Sequence, residues 1–170
     1  MTSAHQTLGR SRTLPPWRRA FAAIVPVVAA GALGSVATQP NIPTWYAGLA
    51  KPAFTPPNWV FAPAWTLLYL SMAYAVWRVL SLPRSTPGRA GALVAFFVQL
   101  ALNAAWSWAF FGLRNPLAGL LVIGLLIAAI LLTIRRFWNQ DRVAALLLTP
   151  YLAWVAYASA LNFEVWRLNP

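Results

Sequence analysis

The sequence predicts an all-α integral membrane protein. It is a five-transmembrane-helix bundle with the N-terminus inside and a Pro/Trp-rich loop forming a lid between helices 1 and 2. Three observations predict this. Of 170 residues, 60% are hydrophobic and only 9% are charged, whereas a soluble domain carries about 25% charged residues. Five apolar segments recur along the chain, each near the ~30 Å that the hydrocarbon layer demands at 1.5 Å of rise per residue. The basic residues fall between these segments and not along one face.

Residues 1–19 are polar and basic, with Arg10, Arg12, Arg18, Arg19 and the Pro15-Pro16 pair. They read as a disordered or interfacial arm, and residues 20–169 as one five-helix membrane domain. A basic stretch before an apolar run also suits a signal peptide. The following run is long, however, and no small-x-small cleavage site precedes a soluble domain, so a membrane span is expected.

The apolar segments cover residues 20–38, 59–80, 90–110, 117–137 and 143–165. Backbone groups in lipid must be satisfied within the segment, which makes these segments helices. Pro26 and Pro150 lie inside the first and fifth and should bend them; Pro63 sits near the start of the second, where it costs less. Orientation follows from the arginines. With the N-terminus inside, the inner segments hold ten basic residues (four in the arm, then Arg78, Arg84, Arg89, then Arg135, Arg136, Arg142). The outer ones hold three, Lys51, Arg114 and Arg167. That bias satisfies the positive-inside rule.

Composition excludes several functions. Cysteine is absent, and one His with two acids, Asp141 and Glu164, leaves too few ligands for a protein metal site. The net charge of +11 invites a nucleic-acid reading, but the arginines form no continuous basic face, so no nucleic-acid partner is expected. No internal repeat and no phosphate loop is present, and five helices do not divide into inverted halves. Neither an acid–base pair nor a nucleophile–base pair is visible for hydrolytic or transfer chemistry. Asp141 is expected to cap the fifth helix, and Glu164 to pair with Arg167 at i+3.

The loop of residues 45–58 carries Trp45, Tyr46 and Phe54, with Trp59 directly after it, and is stiffened by Pro52, Pro56 and Pro57. Lys51 is its one charge. On the second helix Phe61, Trp65, Tyr69 and Met72 form an aromatic stripe beneath this loop, and on the fifth Tyr151, Trp154, Ala158 and Asn162 share a side. Trp65 and Trp154 should lie deeper than an interfacial aromatic belt, which favours a pocket wall over simple packing. On the third helix Gln99, Asn103 and Ser107 stack at i, i+4, i+8, either facing a pocket or bonding neighbouring helices. Ala101, Ala105 and Ala109 form a second ladder on another side, suited to close helix approach and to a homodimer interface.

Three blocks carry a family resemblance: WYAGLAKPAFTPPNWVFAPAWTLLY, LNAAWSWAFFGLRNP and PYLAWVAYASALNFEVWRLN. In this order they resemble the TspO/MBR family, the tryptophan-rich sensory proteins whose mitochondrial members are called translocator protein or peripheral benzodiazepine receptor. The resemblance implies a five-helix bundle, commonly a homodimer, whose first loop closes over a pocket. It further implies binding of porphyrins such as protoporphyrin IX, of synthetic isoquinoline carboxamides and benzodiazepines, and in some members of sterols, with no obligatory cofactor. Trp65 and Trp154 match pocket tryptophans that some members link to light-dependent porphyrin breakdown. Tyr46, Pro56, Pro57 and Asn103 match lid and wall positions, and Ala158 matches an alanine that influences sterol and drug binding. The family's sterol motif wants Tyr where Phe163 stands here, with Glu164 beside it, so the motif is incomplete. The resemblance thus implies a membrane receptor for porphyrins that regulates tetrapyrrole metabolism or stress responses. A porphyrin-degrading enzyme and a porphyrin or sterol transporter are the alternatives. Which membrane holds the protein, bacterial inner or outer or mitochondrial outer, is left open by the sequence.

Overall fold

The computed structural model describes residues 15–170; residues 1–14 of the expected arm lie outside these. Five helical spans of 23 to 27 residues are long and apolar enough to cross a membrane, and no strand occurs among the described residues. They are α1 (Pro16–Thr38), α2 (Phe61–Ser81), α3 (Arg89–Ser107), α4 (Pro116–Trp138), and a fifth span divided into α5 (Arg142–Leu146) and α6 (Thr149–Leu168). The first helix begins four residues earlier than its apolar segment, because Pro16 occupies a first-turn position where its missing N–H costs nothing. It then runs without interruption through Pro26.

Pro150 divides the fifth span instead of merely bending it. Its ring nitrogen cannot bond the Leu146 carbonyl, and the Thr149 hydroxyl donates to that carbonyl at 2.8 Å. The next carbonyl, Leu147, accepts from Ser71 Oγ of α2 at 2.6 Å. Side-chain hydroxyls thus satisfy the carbonyls that proline exposes at membrane depth. Asp141 caps α5 as expected, its carboxylate accepting from the Ala144 amide at 3.0 Å.

The helices pack in the order α2–α1–α3–α4–α6, and α5 touches α2 and α4. Leu68, Met72, Val76, Phe96, Ile130, Phe137 and Tyr151 fill a core toward the arginine-rich end. That end is braced by the Arg78–Asp141 ion pair at 2.8 Å and by buried Arg89, which donates to the Val79 and Leu80 carbonyls closing α2 at 3.1 Å each. Burial alone would raise the Asp141 pKa. Hydrogen bonds from Arg78 and from the Ala144 and Val143 amides outweigh it, so the carboxyl stays below its ordinary range. At the opposite end Glu164 and Arg167 pair at 2.6 Å, also as expected.

The third span departs from a regular helix. After Ser107 it widens into one π-helical turn, Trp108–Gly112, with Leu113 N–H donating to the Trp108 carbonyl five residues back at 2.7 Å. The wide turn breaks the i+4 register and brings Ala109, Phe110 and Phe111 all to the interior. The alanine ladder therefore ends early: Ala101 and Ala105 are exposed on the outer face, whereas Ala109 is buried.

Candidate functional site

Toward the lid the core gives way to a cavity of about 740 Å³, within the ~300–1,000 Å³ typical of small-molecule sites. Four spans and the loop build it. From α1 come Gly31, Gly34 and Ser35, and from α2 come Phe61, Trp65 and Tyr69. Asn103, Trp106 and Ser107 of α3 and Trp154, Ala158 and Asn162 of α6 complete the sides. Phe110, Phe111 and Tyr46 meet beneath the lid. Among the described residues, no charged side chain is in the wall.

Small residues open this space. A Cβ at Gly31 would stand 3.0 Å from the Tyr69 ring, and one at Gly34 3.0 Å from Ser107 Oγ. Glycine at these positions lets α1 lie close to the polar side of α3 and the aromatic side of α2, where an added methyl group would press on Ser107 and Tyr69. Several exposed residues of α1 and α2, among them Val28, Ala32, Thr66 and Leu70, also border it, so the cavity opens sideways between these helices.

Its polar groups are few and mostly fixed. The Tyr69 hydroxyl donates to Asn103 Oδ1 at 3.0 Å. Trp106 Nε1 donates to Asn162 Oδ1 at 3.1 Å, while Asn162 Nδ2 donates to the Pro116 carbonyl at 2.8 Å. Asn162 thereby locks α6 to α3 and to the start of α4. The indole rings differ in support: Trp154 meets Phe61 edge-on at 5.8 Å, and Trp65 tilts over Tyr69 at 5.3 Å.

The lid closes by aromatic and backbone contacts. Trp45 packs against Phe110 at 5.5 Å and Tyr46 against Phe111 at 5.6 Å, in ring geometries favoured by their quadrupoles. Burial, and then the neighbouring Tyr157, raise the Tyr46 phenol above its ordinary pKa. Tyr157 of α6 and Asn169 directly after it hold the loop: Tyr157 donates to the Phe54 carbonyl at 2.7 Å, and Asn169 bonds Ala50. Arg114 donates to Asn41 Oδ1 at 3.0 Å and ties the α3–α4 turn to the end of α1.

Of the residues singled out in the sequence, Tyr46, Phe61, Trp65, Tyr69, Asn103, Ser107, Trp154, Ala158 and Asn162 converge on this one cavity. Four do not reach its wall. Trp45 stands behind Tyr46 in the aromatic cluster. Pro56 and Pro57 shape the approach to α2, where Pro57 caps the 3₁₀ turn Asn58–Val60. Gln99 lies one helical turn further toward the arginine-rich end, 1% exposed within the bundle. Met72 and Tyr151 likewise belong to the core below the cavity. Lys51 is not a free cation at the mouth. Its ammonium donates to the Leu49 and Ala47 carbonyls at 3.1 and 3.3 Å and covers the Tyr46 ring. Sequence reasoning missed Trp106, Phe110, Phe111 and the glycine face of α1. The Gly-x-x-Gly spacing at 31 and 34 was the available signal for α1, and nothing local announced the π turn.

Fold and cavity define a multi-pass integral membrane protein with one uncharged, aromatic chamber closed by its first loop. The TspO/MBR family model matches residues 22–167. The chain is 48% identical over 148 residues to the tryptophan-rich protein TspO of Archaeoglobus fulgidus, covering 87% of this chain and 95% of that one. It is 41% identical to protein CrtK of Rhodobacter capsulatus, with 83% and 86% covered. It is also 41% identical to the human translocator protein, over 74% of this chain and 75% of the relative. The chain belongs to the TspO/MBR family.

Proposed function

We propose that the protein is a membrane receptor that binds porphyrins, protoporphyrin IX among them, in the chamber beneath its first loop and so senses tetrapyrrole levels. The observation that carries this reading is the convergence of Trp65 and Trp154, from distant parts of the chain, on one uncharged cavity. A porphyrin is flat and largely apolar, and indole faces stack on such a ring. Its two carboxylates need donors at an edge. With Lys51 engaged by its own loop, the Gln39 and Asn58 side chains at the cavity's lid end are the groups offered. A relative named as a tryptophan-rich sensory protein, from Cereibacter sphaeroides and 40% identical, supports a sensory role.

A second reading has one observation in its favour. Both indoles share the chamber a pigment would occupy, so light- and oxygen-dependent opening of a bound porphyrin would take place against oxidisable side chains. Mass analysis of protoporphyrin IX incubated with the protein separates the two. A receptor returns the pigment unchanged in the dark and destroys it under light no faster than Trp65→Phe does. An enzyme forms a ring-opened product under light and air, and loses it in that variant while still binding. Driven transport has less support, since among the described residues no charged side chain lines the cavity.

A further inference from the structure

At the arginine-rich end a second, shallower depression of about 130 Å³ runs between α3 and α4 on the outer face of the bundle. Gly91, Val94 and Val98 form one bank, Ala129 and Leu132 the other, and Arg136 stands at its end. Arg136 and Ala129 are seven residues apart on α4, so the apolar channel descends ~10 Å from the guanidinium into the bilayer. Gly91 permits the arrangement. A methyl group there would collide with the Arg136 guanidinium, which lies across the bare backbone of α3.

The charge balance shows what is missing. The chain has two acidic side chains against thirteen Lys and Arg. Asp141 is paired with Arg78 and Glu164 with Arg167. At the same end Arg89 is committed to the Val79 and Leu80 carbonyls, and Arg142 lies over the Trp138 ring at 5.6 Å. No side-chain carboxylate remains for Arg136. A second copy of the chain would bring none either, because both of its acids are spoken for in the same way.

We infer that this groove seats one anionic phospholipid of the leaflet on the arginine-rich side. Its phosphate rests on Arg136 and one acyl chain lies along Gly91, Val94, Val98 and Ala129. A negative charge at the headgroup level complements the exposed Arg136 guanidinium, a hydrocarbon tail directly below it complements the apolar channel, and such a lipid carries both. Basic pockets between transmembrane helices on the inner side select anionic headgroups for this reason. The seat is separate from the aromatic chamber, which lies toward the other end, so the inference stands whatever ligand that chamber takes.

Native mass spectrometry of the full chain tests it, with phosphatidylglycerol and phosphatidylcholine of identical acyl chains as competing probes. The parent should retain one phosphatidylglycerol per chain in preference to phosphatidylcholine, and Arg136→Gln should lower that preference about fivefold, the effect of one basic residue near a charged headgroup. Gly91→Leu, which keeps every charge but fills the groove, should lose the bound lipid as well. Arg142→Gln, outside the groove, should keep it. Unchanged thermal unfolding of the variants shows that each remains folded. Absence of preference in the parent overturns the proposal. So do equal losses in Arg136→Gln and Arg142→Gln, which would mean diffuse attraction to a basic surface. A Gly91→Leu variant that changes the dimer fraction but not the lipid count would assign the groove to a second copy, and overturns it too.

Discussion

Asn169, one residue from the end of the chain, forms a reciprocal amide pair with Ala50 in the middle of the lid. The Ala50 N–H donates to Asn169 Oδ1 and Asn169 Nδ2 donates to the Ala50 carbonyl, both at 3.0 Å. The same Nδ2 reaches back to the Val165 carbonyl at 2.7 Å, which fixes the side chain to the α6 terminus. The last helix therefore both lines the chamber, through Trp154, Ala158 and Asn162, and holds its cover.

Replacing Asn169 with Ala removes the clasp but leaves the wall intact. The two lid bonds are worth ~0.5–1 kcal/mol net apiece, so ligand dissociation should quicken about fivefold to thirtyfold while the unfolding temperature barely changes. Stopped-flow displacement measures it. An unchanged dissociation rate would show that the loop is held by its aromatic contacts alone.

Gly119 of α4 is a packing requirement. A Cβ there would lie 2.7 Å from Asn162 Oδ1 and 3.0 Å from Phe110. Relief would pull Asn162 from Trp106 and from the Pro116 carbonyl. Gly119→Ala should thus destabilise the bundle by ~1–3 kcal/mol and weaken ligand binding with it. Gly124→Ala, on the same helix with open space around it, should be neutral or slightly stabilising. Thermal unfolding in detergent compares the two, and equal effects would contradict the packing account.

Stability should fall in acid through Asp141. Its folded pKa lies below the ordinary value, so the stabilisation is fully present above the unfolded carboxyl pKa of about 3.9 and is lost as pH falls through the folded one. The unfolding temperature should be flat from about pH 8 to 5 and decline below about 4. Asp141→Asn keeps a capping acceptor but loses the ion pair with Arg78, so it should start lower and show a shallower acid decline. A variant with the parent's full acid slope would move the effect elsewhere.

The five spans and their alternation were legible because lipid imposes a single requirement, about twenty apolar residues with internal hydrogen bonding. The stripes at Phe61, Trp65 and Tyr69 and at Trp154, Ala158 and Asn162 were legible because helical periodicity carries across a regular helix. Periodicity failed where the helix stops being regular. The π turn after Ser107 turned Ala109 inward and brought Phe110 and Phe111 under the lid, and no single residue in WSWAFFG encodes a wide turn. Gln99 was misplaced for a different reason. Spacing fixes the face a residue shares, not how far along the helix the cavity extends. Lys51 stands in the sequence as the one charge of its loop, and the Leu49 and Ala47 carbonyls that engage it are brought to it only by the fold of that loop.

The most direct test of the chamber is a dark titration with protoporphyrin IX that follows tryptophan fluorescence in the parent, in Ala158→Phe and in Leu121→Phe. Ala158 lines the cavity, so a phenyl group there occupies the space of the ligand; Leu121 is 67% exposed on the lipid side of α4. The account predicts saturable quenching in the parent and in Leu121→Phe, with affinity reduced at least about tenfold in Ala158→Phe, the equivalent of ~1.4 kcal/mol. Linear quenching, or curves that coincide in all three proteins, would show that the pigment partitions into detergent and surface and that the chamber beneath the lid is not its site.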